Sequence, residues 1–302
     1  MTVRAAVFAA TLVALACCGG DEERAEPPQR PGAAEVIAVG DIAVCGAEND
    51  EATARLVAAQ PRATVLALGD NAYNRGLKNE YESCYAPAWG GFKDRTRPVP
   101  GNHDYAYFNK DAAAYFDYFE DAAGQWGLGY YSFDLGSWHL IALNSNCEAQ
   151  MLGGCGDGSR QGRWLREDLA ENGKSCTLAY WHNPRFSSGK LHGSDPSVAP
   201  FWDALYDAGA DVVLSGHEHN YQRFTPQSPA GEQDDGRGIL QFVVGTGGGE
   251  IVDVGEELPT TEAQNAGTFG VLRLMLYEGG YDWEFEPVEG GKFTDRGSGQ
   301  CH

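Results

Sequence analysis

Short apolar runs recur along the chain, each closed by a glycine or a polar cluster: Val36 to Val39, Thr64 to Leu68, His139 to Leu143, Thr177 to Trp181, Val212 to Leu214 and Leu240 to Val244. Runs of this length without alternation predict strands buried on both faces. Between several of them lie segments of helical period: Glu51 to Ala59 behind a cap at Asn49 or Asp50, Ala112 to Phe119, Gln161 to Glu171, and Val198 to Ala208 behind the cap signal Asp195-Pro196. Strands alternating with helices predict an α/β architecture. The tail differs, because Val271 to Leu276 and Tyr281 to Phe285 alternate around Gly279-Gly280 in the manner of an antiparallel hairpin.

The residues that follow the predicted strands carry the chemistry. Asp41 follows the first run, Asp70 the second, His182 the fourth and His217 the fifth. All leave at carboxyl ends, the edge where open α/β sheets bind ligands, so residues distant in sequence are expected to converge there. Gly101-Asn102-His103-Asp104 and Gly216-His217-Glu218-His219 are two further polar blocks. Five of the seven histidines fall in these blocks or just after one, namely His103, His182, His192, His217 and His219. His139 reads as a strand residue and His302 as a chain end. Asp, Asn and His offer oxygen and nitrogen donors to hard or borderline cations, and one aspartate with two oxygens can bridge a pair of ions.

Composition adds constraints. The 302 residues are 42% hydrophobic and 11% aromatic, a globular composition, and 40 glycines with 14 prolines predict many loops around one catalytic domain. A formal charge of −21 argues against nucleic acid as a partner, since such binding rests on Lys and Arg releasing counterions. It would repel an anionic substrate too. Attraction would have to come from local cations, of which bound metals are the obvious source.

Residues 1–18 read as a signal peptide: Arg4 is the cationic start, and Ala5 to Ala16 form an apolar stretch that ends at Cys17-Cys18. A membrane span needs ~20 apolar residues, more than this stretch has. Leu15-Ala16 before the two cysteines resembles a lipoprotein cleavage site, with Cys17 or Cys18 as the residue that would carry the lipid and tether the protein to a membrane surface. Plain secretion is the alternative. Residues 19–34, rich in Glu, Pro and Gly, have the composition of a tether, and the catalytic domain is expected over 35–302. Export places the chain in an oxidising compartment, extracellular or periplasmic. Cys45, Cys84, Cys147, Cys155, Cys176 and Cys301 then predict three disulfides, of which Cys147 with Cys155, bracketing a Gly-rich loop, is the easiest closure. The other pairings stay open. No CxxC spacing occurs, which argues against a thiolate zinc site.

The blocks Gly40-Asp41-Ile42-Ala43, Gly69-Asp70-Asn71-Ala72-Tyr73, Gly101-Asn102-His103-Asp104, Trp181-His182-Asn183-Pro184 and Gly216-His217-Glu218-His219 resemble, in their order, those of the calcineurin-like metallophosphoesterases. Asp70 followed three residues later by Tyr73 is similar to the purple acid phosphatase branch, and so is the lack of a histidine at position 43, where other branches place one; Ala43 stands where the branch usually has glycine. The resemblance implies a calcineurin-like metallophosphatase fold, two packed mixed β-sheets flanked by helices in an α/β/β/α sandwich, in the small single-domain form. It implies a dinuclear centre in which Asp41, Asp70, Tyr73 and His219 hold ferric iron, Fe(III), while Asp70, Asn102, His182 and His217 hold a divalent ion, Fe, Zn or Mn.

The same resemblance assigns roles. His103 would contact the phosphoryl group, and His192, ten residues after His182, would protonate the leaving group. Asn183 stands where a substrate-contacting histidine is frequent. The implied reaction is hydrolysis of small-molecule phosphate monoesters by attack of a metal-bound hydroxide. Two rivals remain: a phosphodiesterase or nucleotide-cleaving enzyme on the same centre, and a non-catalytic surface lipoprotein that uses the fold for binding. The second rival predicts lost ligands, yet all seven ligand positions and both histidines are filled. Thr225 to Gly238 and Gly247 to Gly267 read as loops at the rim.

Overall fold

The computed structural model describes residues 2, 30, 32–105 and 111–302. All but residue 2 of the expected signal peptide over 1–18, its Cys17-Cys18 site, and residues 19–29 and 31 of the expected 19–34 tether lie outside the described residues.

In chain order the strands are β1 (Ala34–Val39), β2 (Ala43–Val44), β3 (Thr64–Ala67), β4 (Ala72–Tyr73), β5 (Thr96–Pro98), β6 (Tyr131–Leu135), β7 (Trp138–Ala142) and β8 (Cys176–Tyr180). They continue with β9 (Val212–Ser215), β10 (Tyr221–Phe224), β11 (Leu240–Val244), β12 (Thr261–Asn265), β13 (Gly270–Tyr277), β14 (Gly280–Pro287) and β15 (Arg296–Gln300). One sheet has the order β15-β14-β13-β1-β3-β5 and the other β12-β10-β11-β9-β8-β7-β6, with β2 and β4 forming a small parallel pair. Both large sheets are mixed. β1, β3 and β5 are parallel, as are β7, β8, β9 and β11, while the remaining strands run antiparallel to their neighbours.

Alternation along the central strands explains the continuous apolar runs. Leu178, Tyr180, Val212, Leu214, Leu240 and Phe242 join the cluster shared with Val36, Ile37, Leu66 and Leu274 of the other sheet. Their neighbours Ile141, Ala179, Trp181 and Val213 face the opposite way, against Leu165 of the helix Arg160–Glu171 and Phe201, Trp202 and Leu205 of the helix Ala199–Asp207. Each strand therefore buries both faces, one on the partner sheet and one under helices. On the first sheet the helix Asn49–Ala59 buries Ala54 and Val57 in the shared cluster. This is the sandwich that the family resemblance implies.

Several local expectations are corrected. Neither Asn49 nor Asp50 caps its helix, because Glu48 occupies that position and makes no side-chain bond there. A cap that went unforeseen is Ser159, whose Oγ accepts the Gly162 N–H at 2.9 Å. Asp195 does accept the Ser197 N–H at 2.8 Å, but a 3₁₀ turn over Pro196–Val198 comes before the helix. The tail hairpin is present as β13 and β14, with β15 added at the edge. The presumed rim segment Gly247 to Gly267 contains β12, which pairs with β10.

The disulfides are Cys45–Cys84, Cys147–Cys155 and Cys176–Cys301. The first ties the loop after Asp41 to the helical turn Tyr81–Tyr85. The third joins β8 of one sheet to the chain just beyond β15 of the other. Among the described residues, no helix is long and apolar enough to cross a membrane.

Candidate metal centre

Four polar blocks leave β1, β3, β8 and β9 at their carboxyl ends, and the third leaves β5, a strand too short to predict. At three of these exits a non-glycine residue takes a left-handed backbone: Asp41 at φ 61°, Asp70 at φ 51° and His217 at φ 71°. Such conformations cost of order 1 kcal/mol or more each and persist only where the surroundings over-determine them. Here the sharp turn at each strand end aims a side chain back across the sheet edge. Glycines make room. A Cβ at Gly101 would collide with the Asp70 carboxylate, and one at Gly216 would lie 2.7 Å from Asp41 Oδ2.

Backbone amides from other blocks pin one oxygen of each carboxylate. Asp41 Oδ2 accepts the His217 N–H and Asp70 Oδ1 accepts the His103 N–H, both at 2.8 Å. Backbone carbonyls fix two histidines in the same way, since His182 Nδ1 donates to Leu68 O at 2.8 Å and His219 Nδ1 donates to Glu250 O at 2.7 Å. The tautomer of each ring is thereby set, with Nε2 facing the centre.

The groups left facing inward form two sets. Tyr73 Oη lies 2.8 Å from Asp41 Oδ1, 3.1 Å from Asp70 Oδ2 and 2.9 Å from His219 Nε2. His182 Nε2 lies 3.1 Å from Asn102 Oδ1, 3.2 Å from His217 Nδ1 and 3.3 Å from Asp70 Oδ2. Asp70 Oδ2 belongs to both. Donors on a common cation at about 2.1 Å lie about 3.0–3.4 Å apart, so these spacings suit coordination with little rearrangement. Asp70, His182 and His217 alone bring three donor atoms within 4.8 Å of one another.

Electrostatics point the same way. Burial pushes the Asp41 carboxyl up, but the His219 and His182 rings outweigh it and hold the group below its usual range. Asp70 likewise overcomes burial through His182, His103 and His217. In return, against burial, Asp70 pushes His182 up to about 9 and Asp41 pushes His219 up to about 9. Burial, with the His182 and His192 rings beside it, pushes His217 down to about 3, which leaves a neutral ring with a free lone pair. Burial and the two carboxylates drive the Tyr73 phenol well above its usual range. Two buried carboxylates thus stabilise positive charge at this spot, and cations can take the place of the protons.

The open side carries the remaining expected residues. Asn102 is exposed, and His103, whose Nδ1 donates to Asn74 O at 2.7 Å, turns Nε2 toward Asp70 Oδ2 at 3.9 Å. His192 stacks on His217 with ring centroids 3.9 Å apart. Asn183 is partly buried and its Oδ1 accepts the Ser145 hydroxyl at 2.8 Å, so that oxygen is already engaged.

Two carboxylates inside the motifs were not singled out from the sequence. Asp104 is buried and accepts Gly101 N at 2.8 Å, Asn71 Nδ2 at 3.0 Å and Tyr81 Oη at 2.5 Å, which holds the second and third blocks together. Burial and the nearby Asp70 push it up to about 6. Glu218 is also fully buried and accepts the His192 and Gly193 N–H groups. Their signal in the sequence was acidic residues within tight, glycine-bearing turns that leave buried strands.

The fold and this donor set define a metallophosphoesterase-type protein. The calcineurin-like phosphoesterase family model matches residues 34–221, and the chain belongs to that family. Purple acid phosphatase 15 of Arabidopsis thaliana is 27% identical over 74% of this chain and 46% of its own length. Acid phosphatase type 7 of Homo sapiens is 29% identical over 62% of this chain and 46% of its own. The chain spans about half the length of these curated relatives. Among solved structures, purple acid phosphatase PPD1 from yellow lupin seeds superposes with a TM-score of 0.71 at 15% identity, over 88% of this chain and 53% of that one, a likeness of fold.

Proposed function

We propose that the chain hydrolyses small-molecule phosphate monoesters at a dinuclear centre of the purple acid type. Ferric iron would be held by Asp41, Asp70, Tyr73 and His219, and a divalent ion, iron, zinc or manganese, by Asp70, Asn102, His182 and His217. One observation carries the reading: Tyr73 Oη touches Asp41 Oδ1, Asp70 Oδ2 and His219 Nε2 at 2.8–3.1 Å. A phenol raised that far by burial and two carboxylates loses its proton to solvent only where a strong cation takes the proton's place on the oxygen. When bound, the two cations polarise the phosphate ester and make water a competent nucleophile near neutral pH.

The chain's own residues do the rest. Buried Asp41, Asp70 and His182 form a floor closed to bulk water, and the ester enters over exposed Asn102 and His192. His103 Nε2, left free by the bond from Nδ1 to Asn74 O, donates to a phosphoryl oxygen when the ring is charged. His192 as imidazolium passes its proton to the departing ester oxygen as the P–O bond breaks, giving an alcohol and inorganic phosphate. Proton transfer of this kind contributes ~10²–10⁴-fold. Export belongs to the same proposal and is supported by three disulfides, with Cys17 or Cys18 as the lipid anchor in its tethered form.

The test is kcat/KM for a phosphate monoester and for the diester of the same alcohol, after reconstitution with ferric and divalent ions. A preference for the monoester supports the proposal. Faster diester cleavage selects the diesterase reading, and hydrolysis of neither overturns both.

A further inference from the structure

The loop that carries His192 is held at its base by several partners. Ser188 N–H donates to Gln222 Oε1 at 2.7 Å, Gly255 N–H donates to Ser188 O at 2.6 Å, and Gly189 bridges to Val254. On the far side Asp195 N–H donates to Pro184 O at 2.9 Å. Between these anchors the apex Lys190-Leu191-His192 is exposed, with Leu191 59% accessible. Burial of apolar side chains therefore does little to fix this apex.

Glu218 supplies the missing restraint from below. Its Oε1 accepts the His192 N–H at 2.7 Å and the Gly193 N–H at 2.5 Å, and His192 Nδ1 lies 4.0 Å from the same oxygen. Its Oε2 is buried without a hydrogen-bond partner. A buried carboxyl is expensive unless its bonds return the loss, so the position of this one is fixed by the two loop amides. The loop is shaped to admit it, because a Cβ at Gly189 would collide with the Glu218 carboxylate. With the backbone so clamped, the His192 ring lies flat on His217, at an interplanar angle of 25°.

We infer that Glu218 is a positioning residue that clamps the backbone of the His192 loop and so holds the leaving-group acid over the centre. The inference rests on the role of His192 given above. Glu218 touches neither substrate nor reacting atoms. It works through the acceptor geometry of Oε1, so Glu218→Gln, which keeps an oxygen there, retains the clamp, and Glu218→Ala removes it. Because Glu218 lies between His217 and His219, Gly189→Ala serves as an independent variant that disturbs the same contact from the loop side.

Two readouts test this. Hydrogen exchange at the His192 and Gly193 amides of the metal-free protein should be slow in the wild type and Glu218→Gln, and at least about tenfold faster in Glu218→Ala and Gly189→Ala. In the reconstituted enzyme, Glu218→Ala should slow alkyl esters by about 10²-fold and aryl esters much less, the pattern expected of His192→Ala. The two losses should not add in the double variant. Unchanged exchange in both clamp variants, or additive losses, overturns the inference. An inactive wild type would instead overturn the phosphatase reading, and the exchange rates would still decide whether Glu218 holds the loop.

Discussion

Asp41 Oδ2 accepts the backbone N–H of His217 at 2.8 Å, joining two motifs that stand 176 positions apart. The bond fixes the carboxylate so that Oδ1 alone faces the Tyr73 phenol. Gly216 lets the strand exit pass close to Oδ2, at a separation a Cβ would reduce to 2.7 Å. Gly216→Ala should therefore displace Asp41 and weaken metal retention about 10–100-fold, as disturbed outer contacts of metal sites do. Metal content after dialysis measures it. Gly173→Ala, with no neighbour within 4 Å of the added carbon, is the control and should match the wild type.

Asp104 is predicted to be a stability determinant. Asp104→Ala leaves Gly101 N, Asn71 N and Tyr81 Oη without their acceptor inside the protein and Asn71 Nδ2 with Val99 O alone, a loss of about 3 kcal/mol or more. Asp104→Asn keeps one acceptor oxygen and should lose less. Urea unfolding of the two variants decides, and an alanine variant as stable as the wild type would contradict the account.

His139 gives a pH signature far from the centre. Its Nδ1 and Nε2 each lie 2.9 Å from a carboxylate, those of Asp134 and Asp168, and Lys174 stands 3.4 Å from Asp134. Burial lowers the ring, but the bonds to Asp168 and Asp134 outweigh it and raise it above 6.5. A group whose folded value is raised stabilises fully below the unfolded value and loses that contribution as pH rises through the folded one. The stability gap between wild type and His139→Gln should thus shrink as pH rises from the ordinary histidine value of about 6.5. A gap that is constant or grows in urea unfolding above that value would refute it.

The disulfides should rank by the length of chain they close. Their separations are 125 residues for Cys176–Cys301, 39 for Cys45–Cys84 and 8 for Cys147–Cys155. Loop-closure entropy gives about 5, 4 and 2.5 kcal/mol in that order. Paired Cys→Ser variants compared by denaturant unfolding test the ranking, and a larger loss from the shortest loop would reverse it.

Much of the fold and most of the centre were legible in the sequence, for identifiable reasons. β1, β3, β7, β8, β9 and β11 are buried on most of their residues, so unbroken apolar runs marked them, and the polar residues after β1, β3, β8 and β9 marked the active edge. β12, as Thr-Glu-Ala-Gln-Asn, and β15, as Arg-Gly-Ser-Gly-Gln, had no such mark, because both are edge strands that bury little. Cys147–Cys155 could be read from a short Gly-rich loop, whereas Cys176–Cys301 depends on two sheets meeting and leaves no local trace. Asp104 and Glu218 stood in plain view inside the motifs. What the sequence withheld was the direction of their side chains, inward onto backbone amides rather than outward to solvent.

Tyr73 is the residue on which the proposed ferric iron depends most. The direct measurement is the visible spectrum of the iron-loaded protein, alongside its metal content, for wild type and Tyr73→Phe. The wild type should bind iron and show a tyrosinate-to-iron band that Tyr73→Phe loses or shifts. A wild type that binds iron without this band, or a Tyr73→Phe spectrum identical to it, would contradict the assignment.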